Sequence, residues 1–248
     1  MSLLKAENIC KICTDEFSLK DISFEICEKG IYGFLGKEGA GNSSLAKVLA
    51  GVSDIDWGAL FYKDIEFNRD SKQGALMKKK IGYVPEKSVF DSGVTAFEFL
   101  DLVGKSKKIE PDKRYRQIKE ALELTGLSRK AEVLTEHLEL NEKKRLSIAA
   151  SLLGNPDVII WDEPLRFLDP RQAEEIKKIA FMLKGKKVVL IFSANPCDIE
   201  EMCDSIAILS CGEIAVWKSK EEMLSVLKEN GLGTLSDALE AFSCEGEV

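Results

Sequence analysis

Val158-Ile159-Ile160-Trp161-Asp162-Glu163 is an apolar run that ends in two adjacent acids. The large apolar residues predict a strand buried on both faces of a sheet. Acids in this position suit metal-assisted phosphate chemistry: Asp162 orients Mg²⁺, directly or through water, and Glu163 polarises the attacking water. Paired acids after a strand also occur in solvated turns, so the segment needs a companion motif.

The companion is Gly36-Lys37-Glu38-Gly39-Ala40-Gly41-Asn42-Ser43. It follows a short apolar strand, Ile31-Tyr32-Gly33-Phe34-Leu35, and precedes a helix from Ser43 to Ala50 that Gly51 ends. Strand, glycine turn and helix form a phosphate cradle, in which backbone N–H groups and the helix N-terminus face the anion. Gly36, Lys37, Gly39, Gly41, Asn42, Ser43 and Ser44 are the expected nucleotide-binding positions, and Ser43 joins Asp162 as a metal ligand. The pattern G-x-x-x-x-G-K-[ST] is met except that Asn42 stands in place of the lysine. A glycine turn alone can be purely structural. Both motifs in this order, with a helical stretch between them, leave little room for that alternative.

That stretch runs from Val84-Pro85 to about Gly154. Thr95-Ala96-Phe97-Glu98 is a capping box, Pro111 opens a second helix that stops at Gly126, and a third helix spans roughly Asn141 to Leu153. The first 35 residues read as β hairpins. Past the paired acids come a helix near 173–183, a buried strand at 187–192, and a hairpin, 205–209 with 213–217, that turns at Cys211-Gly212.

At this point the chain resembles the ATP-binding subunit of an ABC transporter over nearly its whole length. Gly36–Ser43 is similar to that family's P-loop, and Ile81-Gly82-Tyr83-Val84-Pro85-Glu86 to its Q-loop segment. Leu138–Leu146 resembles the signature segment, and Asp162–Pro170 the Walker B segment and D-loop, with Asp169 in the latter. Leu235–Phe242 resembles the short tail of drug, bacteriocin and polysaccharide exporter subunits with separate permeases; it also reads as a terminal helix packed through Leu235, Leu239 and Phe242. The resemblance implies an α/β P-loop NTPase (ABC ATPase) core with an N-terminal antiparallel β subdomain, over 1–86 and 155–220. It also implies an inserted α-helical subdomain over 87–154 and a short helical tail over 221–248. It further implies ATP and Mg²⁺ as ligands and a homo- or heterodimer of ATP-binding subunits. In that dimer each ATP lies between one P-loop and the partner's signature helix. A membrane permease subunit would hold the chain at the inner face of the membrane, on the cytoplasmic side.

The chain departs from that pattern at several sites. Asn42 replaces the phosphate-contacting lysine and Glu86 the Q-loop glutamine. In the signature segment Glu139-Leu140-Asn141-Glu142, Glu139 replaces the serine and Asn141 a glycine, while Glu142 lies where it would satisfy the helix dipole. Ala194 stands at the switch histidine. Cys13 falls near the position of the adenine-stacking aromatic, for which Phe17 can substitute. The lost lysine and gained acids shift the phosphate region by about three charges toward negative. One such pair at ~4 Å, with an effective dielectric of ~20, is worth about 4 kcal/mol before screening. Weak ATP binding with weak or absent hydrolysis is expected. Two alternatives stay open: a working ATPase with substitute residues, and a soluble, non-transport regulatory module. Lys37, beside an exposed Glu38 that would pair with it, is the one loop cation that can replace the missing charge.

Composition excludes other classes. A net charge of −7 makes the chain a poor nucleic-acid partner. There is no signal-peptide run at the start, and no segment reaches the ~18 apolar residues of a membrane span. Seven cysteines, an odd number, suggest free thiols in a reducing compartment. Cys10-x-x-Cys13 lacks a second pair and reads as packing, and the sole histidine, His137, reads as a loop residue.

Overall fold

The structure, a computed structural model, describes residues 1–14, 17–67, 71–229 and 231–242. The expected tail over 221–248 therefore lies partly outside the described residues, at 230 and 243–248.

Two sheets carry the chain. β1 (Leu4–Ile12) and β2 (Ser18–Ile26) pair as an antiparallel hairpin, joined by β4 (Trp57–Tyr62) and β5 (Ile65–Glu66) in the order β2-β1-β4-β5. The second sheet has the order β10-β9-β3-β8-β7-β6. Its strands are β3 (Gly30–Leu35), β6 (Ile81–Val84), β7 (Val158–Asp162), β8 (Val188–Ser193), β9 (Ser205–Ser210) and β10 (Glu213–Ser219). All pairs in it are parallel except β9–β10. The expectation of hairpins throughout the first 35 residues holds only for β1 and β2. β3 pairs in parallel with β8 and β9, because its residues are apolar on both faces and need a central position.

Every residue of β7 and β8 is buried, as unbroken apolar runs require. Helices cover both faces. α1 (Asn42–Leu49) lies between the two sheets, where Phe34 and Phe192 stack at 4.5 Å. α6 (Pro170–Leu183), α7 (Pro196–Met202), α8 (Lys220–Glu229) and α9 (Leu235–Ala241) cover the opposite face. In α9, Leu235, Ala238 and Leu239 are the buried residues, while Phe242 beyond it is 38% exposed. α2 (Lys72–Lys78) precedes β6.

α3 (Ala96–Ser106), α4 (Pro111–Leu124) and α5 (Leu140–Leu152) share a separate apolar core around Leu100, Ile118 and Leu146. Thr95 caps α3 with the reciprocal Glu98 bond, and Pro111 opens α4, as their sequences dictate. α5 is the helix that ties this unit to the sheet. Gly82 in β6 lies so close to it that a Cβ would fall 2.1 Å from the Ser151 carbonyl oxygen. The Ser151 hydroxyl accepts a hydrogen bond from the buried Trp161 indole N–H at 3.0 Å. Lys107 reaches across from the end of α3 and donates to the carbonyls of Ile81 and Leu153.

Cys10, Cys13, Cys27, Cys197 and Cys203 are free. Cys211 is disulfide-bonded, contrary to the free-thiol expectation; it sits in an exposed turn, where another thiol can reach it. His137 is exposed in a single 3₁₀ turn.

The Gly82–Ser151 approach makes a direct prediction. Gly82→Ala forces β6 and α5 apart at backbone level and costs about 1–3 kcal/mol. Thermal denaturation should show a melting temperature lower by several degrees. An unchanged melting temperature would mean that α5 does not depend on this approach.

Candidate functional site

Three strand ends build the site. β3 runs into the glycine loop, β7 ends in Asp162 with Glu163 next, and β8 ends at Ser193 before Ala194. Register places Leu35 beside Ser193 and Asp162 beside Phe192. Their carboxyl ends therefore open on one cleft of ≈580 Å³, walled also by Phe17, Glu86, Lys87 and Arg166. Ligands bind at such carboxyl ends in open α/β sheets. A second cleft, ≈570 Å³ and rich in lysine, lies toward the amino ends of β6 and β7; neither the glycine loop nor the paired acids line it.

Gly39 and Gly41 adopt φ of 88° and 112°, which side chains resist. Gly41 caps α1 without a side-chain bond, and the first turn holds no acid. The orphan N–H groups and the dipole at that end thus face the cleft and fit an anion. Phe17 packs on Gly41 and lines the cleft, whereas Cys13 packs against the core. Phe17 is thus the aromatic ring that lines this cleft.

Asn42 does not point into the cleft. Its Nδ2 donates to the Gly36 carbonyl at 3.0 Å and lies 3.5 Å from the Ser193 carbonyl, while its Oδ1 is buried with no hydrogen-bond partner. The amide is consumed by the floor of the loop. Ser43 Oγ is 3.5 Å from Glu86 Oε2. Asp162 is 1% exposed, and neither carboxylate oxygen closes a hydrogen bond of ordinary geometry. Burial pushes its pKa up; the nearby Ser43 hydroxyl and Lys144 ammonium pull it back in part, and Glu86 repels it. An orphaned buried carboxylate beside a hydroxyl fits a hard divalent cation such as Mg²⁺. No cluster of three His, Cys, Asp or Glu side chains that could hold a metal occurs among the described residues, so nucleotide phosphate would have to complete the shell.

Glu163 is held rather than free. Its Oε1 accepts from the Ala194 N–H at 2.7 Å and its Oε2 from the Ser193 hydroxyl at 3.3 Å. Its φ of 49° is a strained backbone conformation. Burial pushes its carboxyl pKa up.

The expected signature and D-loop residues lie outside this cleft. Glu139 and Leu140 are exposed at the start of α5, Asn141 is partly buried, and Glu142 is buried. Glu142 accepts from the Glu139 N–H at 3.1 Å and pairs with Lys130 at 3.0 Å, so it satisfies the helix end as its position suggests. Asp169 caps α6, accepting from the Gln172 N–H at 2.8 Å. Lys37 is exposed at the rim, and its neighbour Glu38 pairs with Arg166 at 3.8 Å instead. Arg166 comes across the cleft because it carries the longer, forked cation.

Sequence reasoning overlooked three cations. Arg166 reaches Glu86 at 2.5 Å, Lys87 lines the cleft, and Lys144 lies beneath it. Lys144 is 2% exposed, and its Nζ donates to the carbonyls of Pro85 at 2.9 Å, Glu86 at 2.7 Å and Asp162 at 3.3 Å. The deficit of three charges expected from the P-loop, Q-loop and signature is therefore largely offset nearby. A lysine inside a signature helix and an arginine four residues after Asp162 were the available signals.

Burial lowers the Lys144 pKa from 10.5 to about 8. Between pH 8 and 10.5 the unfolded chain binds more protons at this site than the native one, so stability from this group rises with pH across that window. Lys144→Met should destabilise the protein by about 1–3 kcal/mol at pH 7, because three carbonyls lose their donor. The gap to wild type should widen between pH 8 and 10 in denaturant titrations. A gap that is constant or narrows would show that Lys144 is not buried as a strained cation.

The comparisons with known proteins agree with this architecture. The ABC transporter family profile matches residues 19–166. An ABC transporter ATP-binding protein of Synechocystis is 33% identical over 84% of this chain, which spans 58% of that relative's length. The linearmycin resistance ATP-binding protein LnrL of Bacillus subtilis is 29% identical over 91% of this chain and 72% of its own. Among solved structures, an ATP-binding subunit of an ABC transporter superposes with a TM-score of 0.83 at 22% identity, covering 97% of this chain and 98% of that one. A dimeric ABC transporter cassette gives 0.80 at 23% identity, covering 88% of this chain and 98% of that one. The family profile covers more than half of the chain and the fold is shared with solved cassettes, so the chain belongs to this family: it is an ATP-binding subunit of the ABC transporter family.

Proposed function

We propose that this subunit binds ATP with Mg²⁺ weakly, hydrolyses it slowly or not at all, and signals its nucleotide state to a separate membrane permease. The observation that carries this reading is Asn42. Its amide is bonded into the loop floor, so no side chain of α1 brings charge to the phosphates. The uncapped start of α1 supports residual phosphate affinity.

In this reading Ser43 and Asp162 hold the Mg²⁺, which would neutralise phosphate charge. Glu163 would face the attacking water, but its oxygens already accept from Ser193 and Ala194, which lowers their basicity, and no histidine assists at 194. Arg166 in the cleft favours a second reading, a working ATPase with substitute residues. Its mark would be turnover that Glu163→Gln abolishes.

Permease coupling rests on family membership. Relatives include the energy-coupling factor transporter ATP-binding protein EcfA of Carboxydothermus hydrogenoformans and the bacitracin transport ATP-binding protein BcrA of Bacillus licheniformis. Among the described residues no helix is long and apolar enough to cross a membrane, so a permease would provide the span. We place the subunit on the cytoplasmic side, paired with a second ATP-binding subunit, identical or different. The Q-loop region, Ile81–Glu86, would transmit the motion, and Glu139, exposed at the start of α5, would face the partner's nucleotide.

Calorimetric titration with ATP–Mg²⁺ tests the binding claim. A dissociation constant in the high micromolar range or weaker is expected, equivalent to roughly −5 kcal/mol or less favourable. Asn42→Lys should tighten it, with phosphate release at background in the wild type. Sub-micromolar affinity, or turnover that Glu163→Gln removes, would overturn the weak-site reading.

A further inference from the structure

Arg166 stands in an unusual position for a cation in a phosphate cleft. It lies in the turn that follows the paired acids, between two non-glycine residues with left-handed backbone, Glu163 at φ 49° and Phe167 at φ 70°. Such strain, once paid for by the surroundings, aims a side chain that relaxed backbone would place elsewhere. The guanidinium lies in the cleft that Ser43, Asp162 and Glu163 also line. Phe167 supports it from behind, its ring 5.4 Å from the guanidinium carbon.

Two carboxylates hold Arg166 there. Glu86 Oε1 accepts from NH1 at 2.5 Å, and Glu38 lies 3.8 Å from NH2. They come from different walls: Glu38 from the glycine loop and Glu86 from just beyond β6. Glu86 has a second face, since its other oxygen is 3.5 Å from Ser43 Oγ, beside the orphaned carboxylate of Asp162. One oxygen of Glu86 thus meets the guanidinium, and the other faces the Ser43 hydroxyl.

We infer that Arg166 is the phosphate-binding cation of this subunit, held by Glu86 and Glu38 until a polyphosphate takes their place. The exchange conserves charge. The guanidinium passes from two carboxylates to phosphate oxygens, whose geometry its fork matches equally well. Glu86, released, would be free to balance a divalent cation that Ser43 and Asp162 would hold. The two acidic residues that look like damage thereby become the resting partners of the replacement cation. Exposure fits the movement: the Arg166 side chain is 39% exposed, and exposed ion pairs are worth little enough to be exchanged. Lys144 is no rival, because its three carbonyl partners hold it beneath the cleft and it does not line it.

The inference rests on the nucleotide-binding reading above, and a mutant cycle separates the two. ATP, ADP and AMP are titrated, with and without Mg²⁺, into wild type, Arg166→Ala, Arg166→Lys, Glu86→Gln and the Glu86→Gln/Arg166→Ala double variant. Circular dichroism confirms folding in each. Arg166→Ala should weaken ATP binding by about tenfold or more while leaving AMP nearly unchanged, since a charge-assisted contact to the outer phosphates is lost. Arg166→Lys should recover part of the loss. Glu86→Gln without Mg²⁺ should tighten ATP binding severalfold by freeing the guanidinium, and the double variant should fall back to the level of Arg166→Ala. If Arg166→Ala binds ATP as well as or better than wild type, Arg166 only plugs the cleft and the inference fails, with nucleotide binding intact. If ATP and AMP weaken equally, the arginine is structural, which also overturns it. If neither the wild type nor Asn42→Lys binds any of the three nucleotides, the nucleotide-binding reading itself falls and the exchange falls with it.

Discussion

The ammonium of Lys144 sits inside the protein on three backbone carbonyls, and the site is organised around it. Those carbonyls belong to Pro85 and Glu86, beyond the end of β6, and to Asp162, the last residue of β7. The lysine itself comes from α5, so a single cation joins the helical unit to the two strands that carry acids into the cleft. A charge of this kind is expensive to bury. The depressed pKa records that expense, and burial is its largest cause. The carbonyls offset it, and the neighbouring carboxylates Asp162, Glu163 and Glu86 offset more through space. Gly82 against Ser151, and Trp161 against the same serine, set α5 at the depth where Lys144 can reach all three.

With Lys144 in place, the acids of the cleft need not be matched from the glycine loop. Asn42 can turn inward and bond Gly36, because the charge a lysine there would have supplied comes from Lys144 below and from Arg166 at the mouth. The cations have not been lost so much as moved. One is locked and one is exchangeable, and that difference follows from burial: 2% exposure for Lys144 against a side chain 39% exposed for Arg166. Glu163 takes the same character from its surroundings, with both oxygens bonded to the end of β8. The cleft keeps the shape that accepts a nucleotide while its reactive groups are engaged with one another.

Much of this was legible in the sequence where local rules act alone. The unbroken apolar runs at 158–161 and 188–192 gave buried parallel strands, and Thr95, Pro111 and Gly126 marked the helix ends they mark in most proteins. The partners of β3 were not legible, because an apolar run states that both faces are covered but not by which neighbours. β4, β5 and α2 carry short or mixed patterns and went unread. In the site, each altered position was visible, yet the cations that offset them, Lys144 and Arg166, were not. Arg166 meets Glu86 across 80 residues of sequence and Lys144 meets the Glu86 carbonyl across 58. Such pairs are set by strand order, which spacing does not reveal. Glu38 shows the same limit on a small scale: its sequence neighbour Lys37 was the obvious partner, and the fold gave it Arg166.

The claim at the centre of this account is that positive charge reaches the phosphates from Arg166 and not from α1. A crystal structure of the protein with a non-hydrolysable ATP analogue and Mg²⁺ tests it most directly. The account predicts phosphates over the start of α1, with Arg166 turned from Glu86 onto them, Asn42 still bonded to Gly36 and Lys144 still on its three carbonyls. Phosphates contacted by the Asn42 amide, with Arg166 still on Glu86, would contradict it.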